Sequence, residues 1–358
     1  LVLILLIQVL FHLNMLKIID QNKISRNIIL NLDYYFFTFY PDTHDKSLSN
    51  YVAVIGDSYA VGQGDSSLKK KNYSSIHLID NNNENYLNFA KPGARSLTSI
   101  KEFFFRFNLI KKSFFLPNID DPKKVLIFFY SGNDINDNIF YYKKYNNKLL
   151  SIDNYVSNNI EKYTEYNNRK FKIFFPVLSL SKNIIIQNFI HYIYLPFKRK
   201  KIQQTNETIV KKKYNKIKFS KNKDLLYEGD IINNNPGYLL PIKDLNISLD
   251  IFFSSVKFLK KKLPDSKIEI IYIPSPTTIY NWNGDSITIN LGDKIEKFSN
   301  DFMRQRYEII IEKFHQFSEK NDILFKNSTF LLQEAAKNFN LLGYKIISEV
   351  IINWIYYF

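Results

Sequence analysis

Five short apolar runs, each closed by a polar turn, constrain this chain more than any other feature. They are Tyr51-Val-Ala-Val-Ile55, the stretch 86–90 ending at Ala90, Lys124-Val-Leu-Ile-Phe-Phe-Tyr130, Lys267-Ile-Glu-Ile-Ile-Tyr-Ile273 and 322–326. Continuous apolar runs of this length, rich in β-branched and aromatic residues, predict strands buried on both faces. The intervening stretches 66–80, 96–113, 244–263 and 299–319, and a last one from 341, are expected to be helical. The helix over 244–263 has Asp244 near its start and Lys260-Lys-Lys262 near its end, an arrangement that suits the helix dipole. Strand, turn and helix in repetition imply right-handed βαβ crossovers and a mostly parallel sheet.

Three of the turns carry chemistry. The first run ends in Gly56-Asp57-Ser58, the second leads into Asn88-Phe-Ala-Lys-Pro92-Gly93, and the third ends in Ser131-Gly132-Asn133-Asp134. At the carboxyl edge of an open parallel sheet, where such sheets bind ligands, they supply a hydroxyl, a backbone N–H in a tight turn and a side-chain amide. Those are the groups that acyl transfer needs as a carbonyl oxygen becomes an oxyanion. Alone, Gly56-Asp57-Ser58 also reads as an ordinary turn with an Asp cap.

Taken together, the three turns resemble the blocks of the SGNH (GDSL-type) hydrolase family, in particular its membrane-associated bacterial members. Gly56-Asp57-Ser58 matches the first block, Asn88-x-x-x-x-Gly93 the second and Gly132-Asn133-Asp134 the third. The resemblance covers 51–138 and 244–358. It implies a flavodoxin-like three-layer α/β/α sandwich with a mostly parallel sheet, the SGNH hydrolase fold. It also implies Ser58 as nucleophile, the Gly93 N–H and the Asn133 side chain as oxyanion donors, and an ester hydrolase or O-acyltransferase acting on acyl esters of envelope carbohydrate or lipid. Asp57, Tyr59, Asp134 and Ser275 are expected to line the pocket, with Arg95 at its rim.

The last block departs from the family's pattern. The family has Asp-x-x-His shortly before Asn-x-x-Gly, the His acting as general base and the Asp orienting it. Asn340-Leu-Leu-Gly343 matches the trailing part, whereas Ala335 stands at the Asp position and Asn338 at the His position, or the loop carrying both is deleted. An Asn amide cannot take a proton from Ser58. Three accounts are open: a catalytically inactive binding module, an enzyme whose base comes from elsewhere (Glu334 or His315), or a damaged gene.

The rest of the chain frames this domain. Residues 1–19 are expected to be a membrane anchor or signal segment, and 20–50 a connector. The domain is expected at the periplasmic or extracytoplasmic face of a bacterial envelope. Lys17, Lys23 and Arg26 after the apolar run would by the positive-inside rule keep the next segment cytoplasmic, so both orientations stay open. Residues 139–243, rich in Lys, Asn and Tyr, are expected to be a largely helical insertion or lid. The formal charge of +15 is spread along the chain, and the Lys, Asn, Ile, Tyr and Phe bias has the look of an AT-rich genome. The basic balance is therefore not read as a nucleic-acid surface. With no cysteine, thiolate chemistry and disulfides are excluded. No metal or cofactor is expected: His44 reads as a loop residue, and Asp134, which with Asp137 and Asp120-Asp121 could suggest a cation site, reads as a cap or brace of its turn. The expected partner is an acylated small molecule or glycan.

Overall fold

In the computed structural model of the protein, the residues described are 47–61, 86–91, 93–111, 118–146, 150–173, 216–219, 225–228, 237–275, 278, 281–282, 286–290, 295–330 and 332–333. The chain divides into two compact units, 1–42 with 165–214 and 43–164 with 215–358. The second unit contains the sheet; of the first, only 165–173 is described. The expected anchor over 1–19, residues 20–46 of the connector, the expected helix over 66–80 and everything after Gln333 lie outside the described residues. Among the described residues, no helix is long and apolar enough to cross a membrane.

The fold is α/β. Strands β1 (Val52–Ile55), β2 (Tyr86–Asn88), β3 (Lys124–Tyr130), β4 (Lys267–Ile273) and β5 (Leu324–Asn327) form one sheet in which every pairing is parallel. Their spatial order is 2-1-3-4-5, the order of flavodoxin-like doubly wound sheets. The last strand begins two residues later than expected, because Asp322 takes a left-handed conformation and closes the preceding helix.

Each apolar run forms a strand because it can bury both faces. All of β1 is buried, as are the five central residues of β3 and every residue of β4 after Lys267. A sheet buried on both sides is the middle of three layers.

The described helices are α1 (Ser58–Val61), α2 (Ser96–Lys111), α3 (Asp134–Tyr145), α4 (Ile152–Ile173), α5 (Ile242–Lys262) and α6 (Asn300–Asn321). Phe129 of β3 packs against Phe252 of α5 and Phe314 of α6, and Phe104 of α2 packs edge-on to Phe258 of α5. These three helices therefore form one layer on the Phe129 face. Right-handed crossovers put them there: after the first step from β1 to β2, every later connection runs in the opposite direction across the sheet.

Outside the main sheet, Ser286–Asn290 and Ile295–Ser299 pair antiparallel. Run-length reading overlooked this pair because the strand alternates, with Ile287 and Ile289 buried and Thr288 between them half-buried.

The interval 139–243, expected to be largely helical, is mixed in its described part. Residues 139–145 complete α3, and α4 follows. A hairpin of Lys216–Phe219 with Leu225–Glu228 then adds parallel to Asn281–Trp282. Helix α3 also belongs to the core of the domain: Ile135, Asn138 and Ile139 are buried, and Ser248 of α5 donates to the Ile135 carbonyl at 2.6 Å.

Candidate functional site

The strand order brings the polar turns together. In a 2-1-3-4-5 sheet the crossover direction reverses between β1 and β3, which leaves a crevice at their carboxyl ends. Ser58 follows β1 and Asn133 follows β3, one on each side of this switch point.

Gly56 makes the first turn possible by its lack of a side chain. A Cβ there would sit 2.6 Å from the Ala60 Cβ and 2.9 Å from the Phe128 Cβ. The close approach folds α1 back over β3. The Gly56 carbonyl accepts from the Lys91 N–H at 3.0 Å and the Ser99 hydroxyl at 3.1 Å, tying the turn to the β2 loop and to α2. Asn88 at the end of β2 donates to the Ala60 carbonyl at 3.0 Å and accepts from the Ala90 N–H at 2.9 Å. Its side chain holds α1 in place, so the Asn of the second turn acts as a brace.

Ser58 opens α1 and is half-buried; its hydroxyl makes no hydrogen bond to any described residue. Asp57 beside it is 1% exposed. One of its oxygens accepts from the Tyr59 N–H at 2.9 Å, and the other accepts from the Asn133 amide at 3.4 Å. Asp57 thus fixes which end of the Asn133 amide faces the Ser58 turn.

Gly93 is exposed with φ +68, a left-handed conformation that favours glycine, and a Cβ would meet nothing within 4 Å. Here the backbone conformation, and not space, selects glycine. The Gly93 N–H donates to no described residue, so it remains open to a ligand.

Asp134, the first residue of α3, is also 1% exposed and accepts from the Tyr130 N–H at 2.9 Å. Burial, and next the charge of Asp57, push its carboxyl well above the usual range. Burial likewise pushes Asp57 up to about 6, against the Tyr59 and Asn133 hydrogen bonds that favour its charged form. With two acids buried together, each disfavours ionisation of the other, and burial adds to this at both.

Tyr59 and Ser275, expected at the pocket, follow β1 and β4. Tyr59 is half-buried with its ring 4.3 Å from that of Tyr130. Ser275, fully buried after β4, accepts from the Thr278 N–H at 2.9 Å and shares a hydroxyl contact with Thr278 at 3.2 Å. Gln333 after β5 donates to the Thr278 carbonyl at 3.2 Å, which keeps the β4 and β5 loops on the same edge. Ala335 and Asn338, the positions expected to hold the Asp and His, lie outside the described residues, as does Glu334.

Of the five histidines, only His315 is described. It is exposed on α6 and packs edge-on to Phe325 of β5 at 4.9 Å. Phe325 is the second residue of β5, so His315 packs toward the amino end of the parallel sheet, whereas Ser58 follows the carboxyl end of β1. Among the described residues, no group of three or more His, Cys, Asp or Glu could hold a metal ion. Asp121 is instead paired with Lys111 at 2.8 Å.

No family model, curated protein or solved structure matches this chain.

Proposed function

We propose that residues 51–138 and 244–358 form an SGNH-type domain that works on acyl esters, as an ester hydrolase or O-acyltransferase, with envelope carbohydrate or lipid as the acyl carrier. The observation that carries this reading is the link across the switch point. The turn bearing Ser58 and the amide of Asn133 are joined through Asp57, which leaves the second N–H of the Asn133 amide for an oxyanion. The open N–H of Gly93 supplies the companion donor. The apolar run over 1–19 favours action at a membrane surface.

In this mechanism Ser58 Oγ attacks the ester carbonyl, and its proton passes to a base. The carbonyl oxygen becomes an oxyanion held by Asn133 and Gly93, the alcohol leaves with a proton, and water or an acceptor hydroxyl releases the acyl group. The direct test is labelling with a serine-reactive fluorophosphonate. Wild type should label and Ser58→Ala should not; equal labelling of the two removes the nucleophile assignment.

A second reading is favoured by one specific observation: the Ser58 hydroxyl has no partner among the described residues. The domain would then bind acylated ligands without turning them over. Absence of labelling in wild type, together with retained ligand affinity, selects this reading.

A further inference from the structure

We propose that the site takes acyl compounds bearing a negative charge, a carboxylate or a phosphate, and that Arg95 binds this charge. The inference deepens the acyl-site reading of Ser58, Gly93 and Asn133 and rests on it. Arg95 stands two residues after Gly93, immediately before α2. Its guanidinium carbon lies over the ring of Tyr141, 2.8 Å from the ring centroid, on the helix that begins one residue after Asn133. Both proposed oxyanion donors are thus close in sequence to the elements that position Arg95.

The guanidinium is held but not satisfied. A cation–π contact with Tyr141 does not by itself use up the N–H donors of the group. Its Nε is buried without a hydrogen-bond partner, and no other donor of the group bonds to a described residue. The nearest carboxylate, Asp137 Oδ2, is 3.7 Å from Nε, beyond hydrogen-bond range. Asp137 is itself pushed up by burial, against the pull of Arg95. A purely structural arginine in this position would be expected to saturate its buried donors.

The surroundings favour an anion as well. Lys91, Lys101 and Arg106 lie around the same turn, and the buried acid among them is Glu102. Lys91 and Tyr163 both engage Glu102 Oε1, and Arg106 Nε lies 3.7 Å from Oε2. Glu102 is therefore committed. Burial, and next the charges of Arg95 and Lys91, hold the Lys101 ammonium below its usual range. Asp57 is turned to Tyr59 and Asn133, and Asp134 to Tyr130. Among the described residues, Asp137 is the one carboxylate facing Arg95, at ion-pair distance and outside hydrogen-bond range, and the buried Arg95 Nε keeps an open donor.

The test compares three non-hydrolysable probes on one acetyl-aryl frame: para-acetamidobenzoate, para-acetamidophenyl phosphate and neutral para-acetamidobenzamide. Calorimetric titration of the full chain should show at least one anion binding about tenfold more tightly than the amide; which of the two anions gains more identifies the charged group. Arg95→Gln should abolish the preference, bringing the anion affinities down to that of the neutral amide. Arg95→Lys should keep part of the preference, because a point charge remains without the bidentate fork. Equal affinities for all three probes in wild type, absence of binding by all three, or a preference that survives in Arg95→Gln would each overturn the proposal. Hydrolysis of para-acetoxybenzoate and of its neutral amide separates this from the parent reading. Charge-ranked binding without turnover keeps the anion site and removes the hydrolase, whereas turnover at equal kcat/KM does the reverse.

Discussion

Asp57 occupies a position where a buried charge serves a neighbour. Its carboxylate is held by the Tyr59 N–H and orients the Asn133 amide, yet burial raises its proton affinity. The folded-state value of about 6 lies above the ordinary 3.8, so between them the native state keeps a proton that the unfolded chain has lost. Stability contributed by this group is present at low pH and is lost as pH rises from about 4 to about 6. The cost at neutral pH is on the order of 2–3 kcal/mol. Thermal unfolding of Asp57→Asn across this window should show a flatter pH dependence than wild type; an unchanged slope would mean that Asp57 is not the buried acid described. Asn133→Ala should lower kcat by about 100- to 1,000-fold with little change in KM, if Asn133 donates to the oxyanion. Gly93→Ala should cost about 1 kcal/mol through backbone strain alone, measured by chemical denaturation, because its Cβ would meet nothing.

Helix α1 illustrates how an element can depend on one missing methyl group. It is too short to be stable alone and is held by Asn88 and by contact with β3 across Gly56. Gly56→Ala would drive a methyl into the Ala60 and Phe128 Cβ atoms. It should cost about 1–3 kcal/mol and also displace Ser58. Fluorophosphonate labelling should therefore slow in that variant even where unfolding shows it folded. Helix α6 is stabilised by ordinary end effects. The Ser299 hydroxyl accepts from the Phe302 N–H at 3.1 Å, and Lys260 Nζ donates to the carbonyls of Asn321 and Asp322 at 2.6 and 2.8 Å.

At the scale of the whole domain, one buried acid joins three strands. Glu269 of β4, 1% exposed, pairs with Lys124 of β3 at 2.8 Å and with Lys326 of β5. Breaking such a group strands the remaining charges. Glu269→Ala leaves two lysines facing each other and should cost about 3–5 kcal/mol, read as a lower denaturation midpoint. The same acid interrupts an apolar run in the sequence, where nothing marks it as paired, since its partners Lys124 and Lys326 come from the two neighbouring strands, both distant in the chain.

Much of this architecture is legible in the chain itself. Continuous apolar runs mark β1, β3 and β4 because a strand buried on both faces has no polar side, and the three polar turns follow because a buried strand must end in one. Gly56, Ser58, Gly93 and Asn133 could be read as a set on that basis. What only the tertiary structure decided is which turns meet. The order 2-1-3-4-5 puts β1 beside β3 and sets the Asp57 carboxylate against the Asn133 amide, 76 residues on. It also places the Arg95 guanidinium on Tyr141. Such contacts depend on crossover direction and on packing between elements distant in sequence, and neither composition nor local periodicity records them.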